Sequence, residues 1–344
     1  MMNVAGLYIH IPFCRSKCPY CDFFSVKYDA VLAEKYTDRL IAEMKKYSGS
    51  FDTIYFGGGT PSIINADLIG KIINAAKEQF DISADCEITV ECNPSKNLER
   101  DFEKYVSFGV NRISLGMQSA RNEERFALGR SAGQAEVAKA VNDAKKAGIT
   151  NISLDVMLGT PKQTIDTLDE TFAFIDKMNI THISAYMLKI EEGTRFYEMR
   201  DRLALPDEDM VADMYLKTIS SLKALGFHQY EISNFSKPGF ESRHNLKYWE
   251  LVPYLGLGAS AHSYFGGKRF FYDENFNRID DGTGGSTEEK IMLGLRLNKG
   301  IEKSIVKKDY SHFIKTGLMH ESENRLALTP KGMLVSNFII SELI

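Results

Sequence analysis

The chain has 344 residues, a hydrophobic content of 44% and a formal net charge of -4 at pH 7. This is enough for one large domain with an appendage or for two modest domains, and the slight acidic excess argues against broad nucleic-acid binding. No apolar run approaches the roughly eighteen residues of a membrane span, and the N-terminus lacks the pattern of a secretion signal. The sequence therefore predicts a cytoplasmic protein, with peripheral membrane association left open.

Up to about residue 188, short β-branched runs alternate with amphipathic stretches, which is typical of βα units on a parallel sheet. The predicted strands cover residues 7–11, 53–56, 87–91, 112–115, 152–157 and 182–187. Helical periodicity marks residues 30–47, 66–79, 136–147 and 164–178. The fold class that this pattern predicts is α/β, a partial (β/α)6 barrel of the TIM type.

The remainder of the chain has a different pattern. A helix at about 207–225 and a strand at 229–234 precede a stretch rich in Gly, Tyr and Phe, in which 280–285 resembles a linker. After residue 287, helical periodicity returns, and 318–328 reads as a hairpin before a helix that opens at Thr329. We therefore expect a barrel over 1–235, a connecting segment over 236–285 and a small α+β, winged-helix-like domain over 286–344. The mixed charges of that last domain favour a packing or lid role over nucleic-acid binding.

Three cysteines, Cys14, Cys18 and Cys21, follow the first predicted strand with the spacing C-x3-C-x2-C. Three thiolates so spaced can ligate three irons of a [4Fe-4S] cluster and leave the fourth iron open for a small chelating molecule. Structural zinc would need a second pair of ligands, which Cys86 and Cys92 do not supply, since an even spacing on a strand favours buried apolar positions. Disulfides are not expected in a reducing cytosol.

Chemically distinctive residues follow each of the other predicted strands as well. They are the glycines and threonine of Gly57-Gly58-Gly59-Thr60-Pro61, then Glu91, Gln118 and Asp155, and then the stretch Glu191-Glu192-Gly193-Thr194. In barrels, chemistry gathers at the carboxyl ends of the strands. The glycines allow close approach of a ligand, although a tight turn would also explain them. Glu91 and Asp155 lie in apolar strands, where a carboxylate is costly unless it meets a ligand or a salt-bridge partner.

The cysteine motif with its aromatic Tyr20, together with the Gly-Gly-Thr-Pro sequence, resembles the radical S-adenosylmethionine (SAM) superfamily. The resemblance extends over nearly the whole chain and implies that Cys14, Cys18 and Cys21 hold a [4Fe-4S] cluster whose open iron binds SAM. Within the superfamily the chain resembles the oxygen-independent coproporphyrinogen III oxidase family. That resemblance implies SAM contacts from Tyr8, Gly58, Gly59, Thr60, Glu91, Gln118, Arg130 and Asp155. The guanidinium fork of Arg130 suits the SAM carboxylate.

Several positions depart from the oxidase pattern. The oxidase carries a long arm before the first strand and a further cysteine two residues after the third cluster cysteine. Here the lead is residues 1–6, and the position of the further cysteine is Phe23. The family also commonly has a histidine where this chain has Ala132. The first two differences argue against decarboxylation of a porphyrinogen and leave open whether the protein is an enzyme.

The chain is more similar to a heme chaperone branch of the same family, through Cys18-Pro-Tyr-Cys21-Asp-Phe23 and His244-Asn-Leu-Lys-Tyr248-Trp249. The resemblance implies heme contact by His244, Tyr248 and Trp249, because histidine ligates heme iron and aromatic rings offer flat faces to a porphyrin. His10 and His262 compete as iron ligands.

The expected function is a heme chaperone, a monomer or homodimer, that binds a [4Fe-4S] cluster, SAM and heme and delivers heme to respiratory or other hemoproteins. The alternative is an enzyme, either the oxidase or another radical SAM enzyme acting on a tetrapyrrole. RNA modification ranks last, since the sequence has no recognisable RNA-binding domain.

Overall fold

The computed structural model describes residues 4–94 and 98–344, so the first half of the N-terminal lead lies outside the described residues. The strands are Ala5–Ile11 (β1), Phe13–Cys14 (β2), Val26–Lys27 (β3), Ser50–Gly58 (β4), Asp81–Cys92 (β5), Arg112–Gln118 (β6), Asn151–Leu158 (β7), His182–Met187 (β8), His228–Glu231 (β9), Asn234–Ser236 (β10), Tyr254–Leu257 (β11), His262–Phe265 (β12), Lys268–Tyr272 (β13), Arg278–Thr283 (β14), Ile301–Glu302 (β15), Met319–Ser322 (β16) and Arg325–Leu328 (β17). The α-helices are Ala30–Met44 (α1), Ala66–Gln79 (α2), Leu98–Phe108 (α3), Asn122–Ala127 (α4), Gln134–Ala147 (α5), Ile165–Met178 (α6), Arg195–Glu198 (α7), Glu208–Ala224 (α8), Arg243–Trp249 (α9), Thr287–Gly294 (α10), Ser311–Lys315 (α11), Pro330–Leu334 (α12) and Ser336–Leu343 (α13).

One large sheet organises the described residues, in the order β14-β13-β12-β11-β1-β4-β5-β6-β7-β8-β10-β9. The strands from β11 to β8 in this order run parallel, and the outer strands on both sides are antiparallel. The two edge strands do not pair with each other in the described part of the chain, so hydrogen bonds do not close the barrel. The predicted α/β partial barrel is confirmed, and all six predicted strands form.

Alternation along the parallel strands separates an aliphatic face from a polar face. In β1, Leu7, Ile9 and Ile11 are fully buried in the hydrophobic core, while Tyr8 and His10 alternate with them. The same alternation recurs in β4 to β8, and the polar set hydrogen-bonds across strands, for example Ser153 with His182 and Tyr55 with Glu91. Because successive side chains of a strand point to opposite faces, this polar set forms the inside of the barrel.

Local sequence signals explain why the barrel helices start where they do. Asp29, Thr164 and Asp207 cap α1, α6 and α8 by accepting hydrogen bonds from backbone N–H groups of the first turn. Each helix then buries an aliphatic stripe against the sheet, as α2 does with Ile69, Ile72 and Ile73.

The segment 236–285, expected to connect two domains, contains α9 and the four strands β11–β14, which extend the main sheet. Strand β11 pairs in parallel with β1 and thereby adds a seventh parallel strand, with Tyr254 opposite Gly6. The predicted linker at 280–285 lies mostly in β14, and the predicted strand at 229–234 divides into β9 and β10, which pair in antiparallel fashion.

The last part of the chain has a three-stranded sheet in the order β15-β17-β16, with α10 to α13 around it. The hairpin of β16 and β17 leads into α12, whose first turn is capped by Thr329 as the sequence indicated. Met333 of α12 contacts the hydroxyl of Tyr215 in α8, which attaches this unit to the barrel. Within the described residues no helix is both long enough and apolar enough to cross a membrane.

Candidate functional site

The three cysteines of the motif follow β1, with Cys14 at the end of β2 and Cys18 and Cys21 in the loop after it. All three thiols are free and partly buried, and the amide of Cys21 donates a 3.1 Å hydrogen bond to the carbonyl of Cys18. Burial raises the pKa of Cys21, and the nearby sulfurs of Cys18 and Cys14 raise it further. In the described residues no group of three or more His, Cys, Asp or Glu side chains is arranged around a single ion. Three thiols brought together in this way can each bind a different iron, so this donor set fits a [4Fe-4S] cluster.

The glycine motif at the end of β4 packs directly on β1. Gly58 has a φ of +107°, and an added Cβ would lie 2.5 Å from the ring of His10. At Gly59 a Cβ would meet the carbonyl oxygens of Ile11 and Phe13 at 2.9 and 2.8 Å. The glycines are therefore required by close packing, and they also leave the backbone of this loop open to the cavity beside it.

Two carboxylates lie at the carboxyl end of the parallel strands. Glu91 of β5 accepts a 2.8 Å hydrogen bond from the Tyr55 hydroxyl, and Asp155 of β7 accepts one of 2.9 Å from Ser114. Burial raises the pKa of Glu91 to about 7 and that of Asp155 to about 6, against the opposing effect of those hydrogen bonds. What remains accessible of both carboxylates faces one cavity, so a ligand with hydroxyl or cationic groups would stabilise their ionised forms.

Arg130 lies across the same cavity. Its guanidinium donates to Asn93 Oδ1 at 2.5 Å and to the Tyr20 hydroxyl at 2.8 and 3.2 Å. Asn93 in turn donates to Thr60 at 3.1 Å, and the Thr60 hydroxyl lies 3.6 Å from Cys14 Sγ. One hydrogen-bonded chain thus links the arginine to the cysteine loop.

Gln118 also lines this cavity. It ends β6 with a φ of +69°, an uncommon conformation for a residue other than glycine, and its Oε1 accepts a 3.1 Å hydrogen bond from Tyr186. Such outliers cluster at ligand sites.

These residues enclose a cavity of about 560 Å³, here called the cluster cavity. The structure brings together most of the predicted set, namely Cys14, Cys18, Cys21, Gly58, Gly59, Thr60, Glu91, Gln118, Arg130 and Asp155. The volume lies within the range of roughly 300 to 1,000 Å³ of small-molecule sites. Two carboxylates, a guanidinium and three thiols suit the charged groups of SAM and an iron–sulfur cluster.

A second cavity of about 620 Å³, here called the aromatic cavity, lies beside the first. The two share Asp22, Phe23, Gly58 and Glu91 in their walls. The predicted SAM residue Tyr8 lies here instead, with its ring 6.2 Å from that of Tyr55. The other lining residues are His10, Phe24, Tyr248, Trp249, Tyr254, Ser260, His262, Arg269 and Leu293.

The predicted heme residues divide between this cavity and the protein interior. Tyr248 and Trp249 line the aromatic cavity, whereas His244 is 1% exposed and lines neither cavity. The His244 ring nitrogens are 2.8 Å from Thr53 Oγ1 and 2.8 Å from the Tyr248 hydroxyl. Burial lowers the pKa of His244 to about 3, which keeps the ring neutral.

Sequence reasoning missed two tyrosines that shape the cluster cavity. Tyr55 and Tyr186 hold the predicted carboxylate and glutamine in place, and Asn93 holds the predicted arginine. The alternation of β4 was the available signal for Tyr55, because Thr53, Tyr55 and Gly57 share one face. The contact between Arg130 and Asn93 joins residues 37 positions apart and has no local signal.

Comparison with known proteins identifies relatives that cover nearly the whole chain. Residues 8–175 match the profile of the radical SAM superfamily. The chain is 34% identical to the heme chaperone HemW of Bacillus subtilis (strain 168), across 96% of each protein. It is 32% identical to the heme chaperone HemW of Lactococcus lactis subsp. lactis (strain IL1403), across 97% of this chain and 96% of that protein.

Among solved structures, the chain resembles coproporphyrinogen III oxidase (HemN) from Escherichia coli, with a TM-score of 0.84 and 21% identity. The match covers 99% of this chain and 90% of that structure, and at this identity it speaks for the fold.

Proposed function

This chain belongs to the HemW family within the radical SAM superfamily, and we propose that it is a heme chaperone. In this proposal it binds heme beside a [4Fe-4S] cluster and SAM and delivers the heme to hemoproteins. The observation that carries the proposal is the aromatic cavity, which shares a wall with the cluster cavity. A porphyrin needs flat apolar faces, and Tyr248, Trp249 and Tyr254 supply them. Respiratory hemoproteins are among the proposed acceptors.

The chain's own side chains suit the three parts of SAM. Glu91 and Asp155 accept hydrogen bonds from hydroxyl groups, and the Arg130 guanidinium binds a carboxylate through two parallel hydrogen bonds. Backbone carbonyls at Gly58 and Gly59 accept from an ammonium group. When bound, a reduced cluster supplies the electron for cleavage of SAM in this superfamily.

The protein's own task at this site is to orient the ligand and limit the access of water. Tyr20 contributes to both, since its hydroxyl fixes Arg130 while its ring lies 6.1 Å from that of Phe196, a residue of the small hydrophobic cluster under the loop. Phe23 lines both cavities and therefore borders the proposed SAM site and the proposed heme site.

The test is a heme titration of anaerobically reconstituted protein, followed by gel filtration. We expect retention of about one heme per chain, as a single concave site would give. The same preparation, supplied with coproporphyrinogen III, SAM and a reductant, should form no protoporphyrinogen. Loss of all heme on the column, together with SAM-dependent turnover of coproporphyrinogen III, would replace the chaperone by the oxidase alternative.

A further inference from the structure

Among the described residues that line the aromatic cavity, His262 carries the exposed imidazole. His262 opens β12, is exposed, and lines the cavity together with Tyr248 and Trp249. No hydrogen bond to its ring nitrogens is present within residues 4–94 and 98–344, and its ring stacks on Phe271 with centroids 5.1 Å apart and an interplanar angle of 22°. An imidazole that is stacked, accessible and unpaired is available as a metal ligand.

The backbone on both sides of His262 is fixed. The Ser260 amide donates to the carbonyl of Tyr272 at 2.9 Å, and the Gly256 amide donates to the Ser263 hydroxyl at 2.9 Å. An added Cβ at Gly256 would lie 2.1 Å from the carbonyl oxygen of His262, so the turn is packed tightly on β11. A ligand carried on such a turn is held in place before the metal arrives.

The rival histidines are engaged elsewhere. Both ring nitrogens of His244 are hydrogen-bonded, and the same holds for His182, which pairs with Ser153 and Tyr230 at 2.8 Å each. His10 lines the cavity, but its Nδ1 lies 3.2 Å from the Tyr8 hydroxyl and its ring is pressed against Gly58. The Nε2 atom of His10 is fully buried and has no partner among the described residues, so it does not reach a ligand without a movement of the ring.

The cavity also has an anchor for a negatively charged edge. Arg269 is the one cationic residue in its described wall, and its guanidinium lies 4.7 Å from the ring centroid of Tyr264 and donates to the Tyr254 hydroxyl at 3.0 Å. Glu289 pairs with the same guanidinium and offsets part of its charge. The guanidinium of Arg269 suits the carboxylates of a porphyrin, because an arginine fork binds a carboxylate through paired hydrogen bonds.

We propose that His262 would ligate the iron of heme bound in the aromatic cavity, and that His244 acts as a positioning residue by holding Tyr248. The proposal rests on the proposed function, because it takes heme as the cargo. The sequence motif implied His244 as the heme contact, whereas this proposal assigns iron ligation to His262. Coordination here means only that an imidazole nitrogen donates a lone pair to iron, without a change of oxidation state.

The test compares absorption and electron paramagnetic resonance spectra of ferric heme bound to wild type, His262→Ala, His10→Ala and His320→Ala. His320 is the matched control, since it is an exposed histidine in β16 outside the cavity. We expect His262→Ala alone to change the spin state and Soret position and to weaken heme affinity by about tenfold or more. Added imidazole should restore the wild-type spectrum by filling the vacated ligand position.

The outcomes distinguish a failure of the His262 assignment from a failure of the proposed function. If wild type retains heme but His262→Ala has an unchanged spectrum, or if His10→Ala alone changes it, the assignment of His262 is overturned while the chaperone stands. Weakened binding in His262→Ala without a spectral change and without rescue by imidazole also overturns it. If wild type retains no heme, the proposed function itself fails and the assignment fails with it. A folded His262→Ala protein is verified by its circular dichroism spectrum.

Discussion

The hydroxyl of Tyr55 on β4 donates a 2.8 Å hydrogen bond to Glu91 on the neighbouring strand β5, at the bottom of the cluster cavity. That bond favours the ionised form of Glu91, yet burial is the larger effect and raises its pKa to about 7. The fold therefore keeps a carboxylate where ionisation is costly, which is the usual signature of a site prepared for a ligand.

Glu91→Gln is expected to stabilise the ligand-free protein at alkaline pH. A carboxyl whose pKa is raised on folding contributes stability below its unfolded pKa, and that contribution is lost as the pH rises through the folded value of about 7. The variant should equal wild type near pH 4 and exceed it by up to about 3 kcal/mol at pH 8. Urea unfolding at both pH values measures this difference. Glu170→Gln, on the surface, is the control, and a variant less stable than wild type at pH 8 would refute the assignment.

The same substitution should weaken SAM binding. Wild-type affinity is expected to fall as the pH drops below 7, because protonation of Glu91 removes a charged acceptor, and Asp155 follows near pH 6. Glu91→Gln should reduce affinity about tenfold at pH 8, as loss of a charge-assisted hydrogen bond implies. Calorimetry of SAM binding to reconstituted protein between pH 6 and 8 provides the measurement. Equal affinities at pH 8 would remove Glu91 from the SAM site.

Arg130→Lys tests the proposed carboxylate contact. Lysine keeps the charge but loses the planar fork that also contacts Asn93 and Tyr20. We expect SAM affinity to fall by about tenfold or more, with iron content unchanged. Arg121→Lys is the control, because Arg121 pairs with Glu170 at the surface. This variant should bind SAM with wild-type affinity. If both variants bind equally well, Arg130 is a structural residue.

Gly58→Ala, compared with Gly193→Ala, distinguishes the destabilisation caused by a steric clash from that caused by a positive φ. Both Gly58 and Gly193 have positive φ, but a Cβ at Gly58 meets the ring of His10 at 2.5 Å and one at Gly193 meets nothing within 4 Å. Gly193→Ala should cost about 1 kcal/mol, and Gly58→Ala about 2 kcal/mol more. Denaturant unfolding of both variants gives the comparison, and equal losses would show that His10 moves aside freely.

Cys86 and Cys92 are expected to play no part in metal binding. Both are buried in β5, and burial raises the pKa of Cys86 to about 12 and that of Cys92 further still, which disfavours the thiolate that binds iron. Cys86→Ala with Cys92→Ala should keep the iron and sulfide content of reconstituted wild type, whereas Cys14→Ala should lose the cluster. Iron analysis of both variants after desalting provides the measurement.

The alternating face of the parallel strands was visible in the sequence, because period-two burial leaves a period-two pattern. This pattern predicted the six strands of the βα units. It also predicted that Glu91, Gln118 and Asp155 lie at one end of the sheet. The seventh parallel strand was not predicted, since Tyr254-Leu-Gly-Leu257 is short and interrupted by glycine. Its pairing with β1 joins positions almost 250 residues apart, which no local pattern encodes.

The role of the His244 motif shows a second limit of sequence reasoning. Residue type favours His244 as an iron ligand, but type does not reveal that Thr53 and Tyr248 already occupy both ring nitrogens. The accessible state of His262 likewise depends on the turn between β11 and β12, which packs on Gly256 and is held by the hydrogen bond from Ser260 to Tyr272. Ligand availability is a property of packing, and packing requires the structure.

The most direct test of the account is the transfer of heme from the loaded protein to the apo form of a b-type cytochrome, followed by absorbance as the acceptor concentration is varied. A chaperone that hands heme over in a complex predicts a transfer rate that rises with acceptor concentration before it saturates. A rate that equals spontaneous heme release and does not change with acceptor concentration would contradict delivery, whatever the affinity for heme.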